Sequence, residues 1–247
     1  MSDLPTLVGA EWLKLRTTRL LHGTLPTAVA ISAAGVAGAV VSADDAGSLA
    51  SARQVRDVLA WTGSGALVVL VAGIVLAAGE HRHGTVVDTY LTTPRRGRVV
   101  AAKLAVGAVL GLLVGLVTAA GSVAVAGAAY AARDATFPLG DGEVWASLAG
   151  TLAYTTLFAV LGVGLGSLVR NQVTAVTAAL AWVAVVEHIF IALASGLGRW
   201  LPFEAGQAIV RTPLEHLLSP LAGTAVLALY AAAFALVGAR TTATRDI

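Results

Sequence analysis

Long apolar runs alternate with short polar stretches along this chain. Six apolar runs of about 19 to 26 residues are almost free of charge, and each is long enough to cross a bilayer as a helix. They lie at 20–41, 58–79, 104–129, 145–169, 173–194 and 221–239. The pattern predicts an all-α polytopic membrane protein with six transmembrane helices, built as one domain over residues 1–247.

The composition supports this interpretation. Of the 247 residues 57% are apolar and only 12% are charged, whereas soluble domains carry about 25% charged residues. The chain has no cysteine, which excludes disulfides and thiol chemistry. The net charge is only +2, and the basic residues flank the apolar runs. We therefore expect the lipid bilayer as a partner and no nucleic acid.

The distribution of Lys and Arg predicts the orientation. Eleven of these residues lie in the two terminal segments and the even-numbered connections, against five in the alternating set, Arg53, Arg56, Arg133, Arg199 and Arg211. Positively charged connections stay in the cytoplasm. We therefore expect both termini and the loop 80–103 to be cytoplasmic.

Residues 1–19 precede the first span and carry an amphipathic pattern. Leu4, Leu7, Val8, Trp12 and Leu15 recur at helical spacing. We expect a helix lying in the membrane interface, with Trp12 at headgroup depth and the cations toward anionic lipid. Glu11 and Lys14 are expected on faces other than the apolar one. The candidate functional residues of this helix are Glu11, Trp12, Lys14 and Arg16. The alternative is a disordered basic tail.

The loop 80–103 interrupts the apolar pattern with the segment "GEHRHGTVVDTYLTTPRRGRVV". Gly84 allows a turn, Thr85 with Asp88 forms a helix N-cap pair, and Pro94 disfavours helix in the residue before it. The spacing predicts a helix of about two turns over 85–93. Its apolar surface, formed by Val86, Val87, Tyr90 and Leu91, is typical of a docking site for another protein. The alternative is a loop that packs on its own bundle.

Two stretches resemble a known family. "EWLKLRTTR" and "EHRHGTVVDTYLTTPRRGRVVAAKL" are similar to the type 2 permease family of ATP-binding-cassette (ABC) exporters, although the tail "ARTTATRDI" is shorter than is usual there. The resemblance implies a coupling helix that docks on an ATPase subunit, two such subunits, and a second permease copy or paralogue. The implied coupling residues are Glu80, Gly84, Thr85, Val86, Val87, Asp88, Tyr90, Leu91, Pro94, Arg95 and Arg96. The family also implies location in a bacterial plasma membrane.

Catalytic motifs are missing from the sequence. It contains no G-x-x-x-x-G-K-[ST], no H-E-x-x-H and no G-x-S-x-G, so the common phosphate-binding loop and two hydrolase signatures are excluded. We expect no catalytic residue and no metal site. ATP and magnesium would bind only to the partner ATPase.

A substrate pathway is predicted from ionisable residues within the fifth span. Glu187 and His188 lie in an otherwise apolar run, and such residues mark functional sites by default. With Trp182 and Phe203 they form the candidate pathway; the alternative is a structural role, for example a Glu187–His188 pair. The outer segment 195–220 is expected to form short helices that dip into the bilayer, broken at Pro202 and Pro213.

These patterns together predict the transmembrane subunit of an exporter for an amphiphilic or drug-like substrate. Three alternatives stay open: an ion-coupled secondary transporter that uses Glu187, a membrane-embedded enzyme, and an assembly factor without transport activity. The secondary transporter would be expected to carry further buried carboxylates or broken midplane helices.

Overall fold

The computed structural model describes residues 4–43, 47–83, 96–169 and 171–244, and these are helical almost throughout. Short 3-10 turns cover Ser48–Ala50 and Trp61–Ser64, and a π-helical segment covers Trp182–Val186. The α-helices are α1 (Leu4–Thr17), α2 (Leu20–Val41), α3 (Ala52–Ala60), α4 (Gly65–His83), α5 (Arg96–Ala131), α6 (Gly142–Leu168), α7 (Gln172–Ala181), α8 (Glu187–Leu193), α9 (Ser195–Gly198), α10 (Pro202–Ile209) and α11 (Pro220–Thr244).

Within the described residues, six helical stretches are long and apolar enough to cross a membrane, as the sequence predicts. They are Leu20–Val41, Ala52–Glu80, Arg96–Ala131, Gly142–Leu168, Gln172–Leu193 and Pro220–Ala243. The fold is therefore that of a multi-pass membrane protein. Its location in a particular membrane, its orientation and the interfacial position of α1 stay predictions.

The second and third spans are longer than expected. The second begins with α3, where the Ser51 hydroxyl accepts a hydrogen bond from the Gln54 amide at 3.2 Å as an N-cap. The third begins at Arg96 and not near residue 104, so that Lys103 lies two turns inside the helix. A hydropathy pattern stops at the first charged residues, but a helix continues as long as its charged side chains find partners or water.

Helix α6 forms the centre of the bundle and packs against α4, α5 and α11. A Cβ atom at Gly111 of α5 would lie only 2.6 Å from the Thr155 carbonyl oxygen, and one at Gly162 of α6 would lie even closer to the Leu70 carbonyl oxygen of α4. Small residues allow such close approach of helices in lipid. The glycine pairs in "GLLVG" and "GVGLG" are therefore packing residues between helices of one chain.

The fifth span packs far less tightly than the fourth. In its most apolar part 17% of residues are buried, against 61% in α6. Trp182, Phe190 and Leu193 are all exposed on it. The π-helical segment Trp182–Val186 divides this span into α7 and α8. The span is thus loosely held and irregular in its backbone, a combination often found at functional sites.

The segment 195–220 contains the short helices α9 and α10. Pro202 is the first residue of α10, a position that proline favours because its missing N–H would be unpaired there anyway. Pro213 follows the end of α10. The insertion of this segment into the bilayer stays a prediction.

Candidate functional site

Four charged side chains meet where α1, α4 and α5 come together. The Lys103 ammonium lies 2.8 Å from the Glu11 carboxylate and 3.0 Å from that of Glu80. The Lys14 ammonium lies 2.6 Å from each of the same two carboxylates. We call Glu11, Lys14, Glu80 and Lys103 the ion cluster. Its two positive and two negative charges balance.

The ion cluster is mostly shielded from solvent. The side chains of Glu11, Lys103 and Glu80 are 4%, 6% and 12% exposed, and only Lys14 reaches solvent, at 44%. Buried charges are costly unless each is paired and hydrogen-bonded. Here every ammonium contacts two carboxylates and every carboxylate contacts two ammonium groups, so each charge stabilises the burial of the others.

Helix geometry explains how these residues meet. Glu11 and Leu15 are one turn apart on the face of α1 that is buried, and Leu15 belongs to the main apolar core. Lys14 lies one turn from Glu11 on the rim of that face. This corrects the expectation for α1, because Glu11 lies on the face buried against the bundle and Lys14 pairs with protein carboxylates. Trp12 is half-buried and Arg16 is exposed.

Lys14 lies outside the spans, and its neighbours shift the pKa of its ammonium group. Its partial burial opposes the charged form, but the hydrogen bonds and negative charges of Glu11 and Glu80 outweigh this and raise the pKa of Lys14 above its ordinary value. The ammonium therefore stays protonated at every physiological pH. Lys14 therefore links α1 to Glu80 as a charged group throughout this pH range.

The ion cluster brackets the predicted coupling segment. Glu80 lies in the last turn of α4, and Lys103 lies two turns into α5. Arg96 begins α5 and is half-buried. The remaining predicted coupling residues, Gly84, Thr85, Val86, Val87, Asp88, Tyr90, Leu91, Pro94 and Arg95, lie outside the described residues. The structure thus defines the two ends of the loop and their attachment to α1.

A second buried charged site surrounds Glu187 at the start of α8. Glu187 is 0% exposed, and its carboxylate oxygens accept hydrogen bonds from the Phe203 amide at 3.1 and 3.3 Å. Phe203 is in the first turn of α10, where amide groups lack helical partners and a negative charge is favourable. Glu187 therefore holds α10 against the fifth span.

The predicted partner of Glu187 is elsewhere. His188 is exposed, and its Nδ1 atom lies 3.2 Å from the Val183 carbonyl oxygen, so the suggested Glu187–His188 pair does not form. Successive helical residues point about 100° apart. A second carboxylate, Glu204, is instead buried nearby at 5% exposure and lies 3.0 Å from the His216 imidazole. Glu204 lies in a polar segment, so no sequence pattern distinguishes it.

Glu187 also faces a cavity of about 440 Å³ between the second, fourth, fifth and sixth spans. Among the described residues that line it, Glu187 is the one acidic side chain. The others are apolar or aromatic, and Trp182 is among them. Phe203 contributes its amide to Glu187 and does not line the cavity. The site combines an apolar wall with one buried carboxylate.

The part of the chain that the structure describes contains no group of three or more His, Asp or Glu side chains placed to hold a metal ion.

Comparison with known proteins adds no identification. No family model matches the chain, and no curated protein matches it.

Proposed function

We propose that this chain is the transmembrane permease subunit of an ABC exporter in a bacterial plasma membrane. It would function beside a second permease copy or paralogue, and two ATPase subunits would bind ATP and magnesium and hydrolyse ATP. The substrate would be amphiphilic or drug-like. The resemblance of "EWLKLRTTR" and of the segment 80–104 supports this proposal, as do the six spans.

The ion cluster is the observation that carries the proposal. An exporter of this kind must convert motion of an ATPase at a cytoplasmic loop into motion of the spans. Glu80 and Lys103 stand at the two ends of that loop. Each pairs with a residue of α1, Glu80 with Lys14 and Lys103 with Glu11. Buried charge-assisted hydrogen bonds fix geometry. A push on residues 85–93 would therefore move α1, α4 and α5 together.

The packing around α6 supports transmission beyond the loop. Helices α4 and α5 both approach α6 closely, at Gly162 and Gly111. Close-packed interiors pass on a displacement because they have little free space. The motion would therefore reach the fourth span through α4 and α5. It would reach the loosely packed fifth span, and the cavity beside Glu187, through α4, against which α7 packs.

The cavity supports the substrate class. Its apolar and aromatic lining suits the hydrophobic part of an amphiphile, and the Glu187 carboxylate suits a cationic group. Pockets with an apolar wall and few polar groups are typical of small-molecule sites.

Co-purification tests the proposal. A candidate ABC ATPase is co-expressed with the wild type and with Tyr90→Ala plus Leu91→Ala. We expect the variant to lose the ATPase while it still inserts and folds. The matched control is Leu139→Ala plus Trp145→Ala, which removes two exposed apolar side chains elsewhere and should retain it. If wild type never co-purifies with the ATPase, or if the double variant binds as well as wild type, the proposal is wrong.

One observation favours a second candidate, an ion-coupled secondary transporter. Glu187 is not the only buried carboxylate in its region, because Glu204 is also buried, and paired carboxylates within a membrane protein are typical of proton relays. Transport into vesicles separates the two candidates. An ABC exporter needs ATP and tolerates a collapsed proton gradient, whereas the secondary transporter needs the gradient and fails in Glu187→Gln without any effect of ATP.

A further inference from the structure

Three arginines converge at the end of the bundle opposite the ion cluster. Arg53 and Arg56 lie one turn apart on α3, and Arg211 follows the end of α10; all three line a pocket of about 480 Å³. Arg53 is at the start of the span that Glu80 ends, so the pocket and the ion cluster are separated by the length of that span. We call Arg53, Arg56 and Arg211 the arginine pocket.

The charges of this pocket are only partly balanced. Arg211 donates to the Glu143 carboxylate at 2.6 Å. Within the described residues, the side chains of Arg53 and Arg56 form no hydrogen bond or ion pair. The exposed Glu215 is the other carboxylate in the lining. Three guanidinium groups thus face two carboxylates, and two of the three have no partner.

The backbone at Arg211 is a second, independent observation. Arg211 has a φ angle of 62°, in the left-handed region that favours glycine. The amides of Arg211 and Thr212 close the end of α10 onto the carbonyls of Ala208 and Gln207 at 3.2 and 3.1 Å. Glycine usually occupies this helix-ending position. This turn fixes the start of the Arg211 side chain beside the pocket, where its guanidinium pairs with Glu143.

The lining also has an apolar side. Leu217, Leu218 and Pro220 border the pocket, and Pro220 begins the sixth span. A ligand with its anionic group on the arginines would therefore have an apolar surface beside it that leads toward the membrane-spanning part of the fold. Guanidinium groups bind phosphate oxygens in pairs and remain charged at every relevant pH.

We propose that the arginine pocket binds a phosphate-bearing anion. The phosphate would lie between the guanidinium groups of Arg53 and Arg56, with Arg211 held in place by Glu143. The phosphate of a lipid headgroup and free phosphate share this chemistry. The proposal does not depend on the exporter assignment, because it concerns residues at the other end of the bundle.

Binding to the purified full-length chain in a neutral detergent tests the proposal. The probes are a short-chain phosphatidylglycerol, the matching phosphatidylcholine and inorganic phosphate. We expect phosphatidylglycerol to bind at least about 10-fold more tightly to wild type than to Arg53→Gln plus Arg56→Gln, since each lost charge-assisted pair weakens phosphate binding. Arg53→Lys plus Arg56→Lys keeps both charges and should bind with intermediate affinity.

The matched control is Arg199→Gln. Arg199 belongs to the same set of five arginines but does not line the pocket, and its removal should leave the affinity within about twofold, as a distant surface charge is screened. Equal affinity of the double glutamine variant and wild type would overturn the proposal. So would equal binding of phosphatidylcholine, which carries no net charge.

The two sources of phosphate give different results. If inorganic phosphate competes with phosphatidylglycerol at a similar concentration, the pocket recognises phosphate alone; if it does not compete, the pocket recognises the phosphate of a lipid.

A salt series on the wild type is a further test that needs no variant. The affinity should fall steadily as sodium chloride is raised from about 50 to 500 mM, because salt screens exposed charges, and an unchanged affinity would contradict the proposal.

Discussion

The ion cluster and the arginine pocket lie at opposite ends of one bundle, and they differ in whether their charged side chains have partners. In the ion cluster two lysines and two glutamates contact one another and are mostly buried. In the arginine pocket two arginines lack any partner among the described residues. Charges that satisfy one another fix the positions of helices, whereas unpaired charges on an open pocket are available to a ligand.

The largest expected effect is at the buried end. Lys103→Met removes a nearly buried ammonium and leaves Glu11 and Glu80 with Lys14 alone. Loss of one member of a buried ion pair costs about 3–5 kcal/mol. Thermal unfolding in detergent, compared with the exposed α1 substitution Arg16→Met, should show this loss of stability. A change no larger than that of Arg16→Met would mean that the ion cluster does not stabilise the fold.

A smaller effect is expected at Glu187. Glu187→Ala leaves the Phe203 amide without its acceptor at the start of α10, and an unsatisfied buried group costs about 1–3 kcal/mol. The measurement is the free energy of unfolding, with His188→Ala as the control because His188 is exposed beside it. Similar values for the two variants would show that Glu187 does not anchor α10.

Arg211→Gly separates stability from binding. Glycine removes the strain of an L-residue in the left-handed conformation, which stabilises the fold by about 1 kcal/mol. The exposed pair with Glu143 is lost, which costs about 0–1 kcal/mol. The unfolding midpoint should therefore be unchanged or slightly raised, while binding of phosphatidylglycerol weakens. A clear loss of stability would indicate that Arg211 serves the fold rather than a ligand.

The smallest effect concerns Lys14, the exposed member of the ion cluster. Its pKa is raised, so its contribution is fully present below its unfolded pKa, near 10.5, and is lost as pH rises through the higher folded value. The stability of the wild type against denaturation should fall above about pH 10.5, and Lys14→Met should reduce that dependence. Equal pH dependence of both proteins between pH 9 and 12 would contradict this.

Much of the fold was predictable from hydropathy. The bounds of the first span, 20–41, agree with α2, because an uninterrupted apolar run and a helix end at the same polar residues. For the third span the pattern predicts a start about eight residues too late, because it cannot show that Lys103 has partners. A hydropathy scale assigns every charged residue an unfavourable value and contains no information on where its counter-charge lies.

The candidate sites were less predictable. The pattern of α1 predicts Glu11 away from the apolar face, because a local pattern does not show partners that are distant in sequence. Lys103, whose ammonium explains the burial of Glu11, is 92 residues away. One signal was present, because Lys14 and Lys103 are the chain's only lysines and each lies close to a span. The coupling residues from Gly84 to Arg95 lie outside the described residues, and their role remains a prediction.

The π-helical segment Trp182–Val186 has a consequence for how this span can change. A π-turn holds one residue more than an α-turn, so the segment is equivalent to an α-helix with a single-residue insertion. Because the wide turn takes up the extra residue, removal of one residue there would restore regular winding and leave α7 and α8 facing nearly the same directions. Trp182 would still line the cavity, and Glu187 would still accept from the Phe203 amide. The segment therefore lets this span carry one residue more or fewer without changing the faces that its two halves present to the bundle.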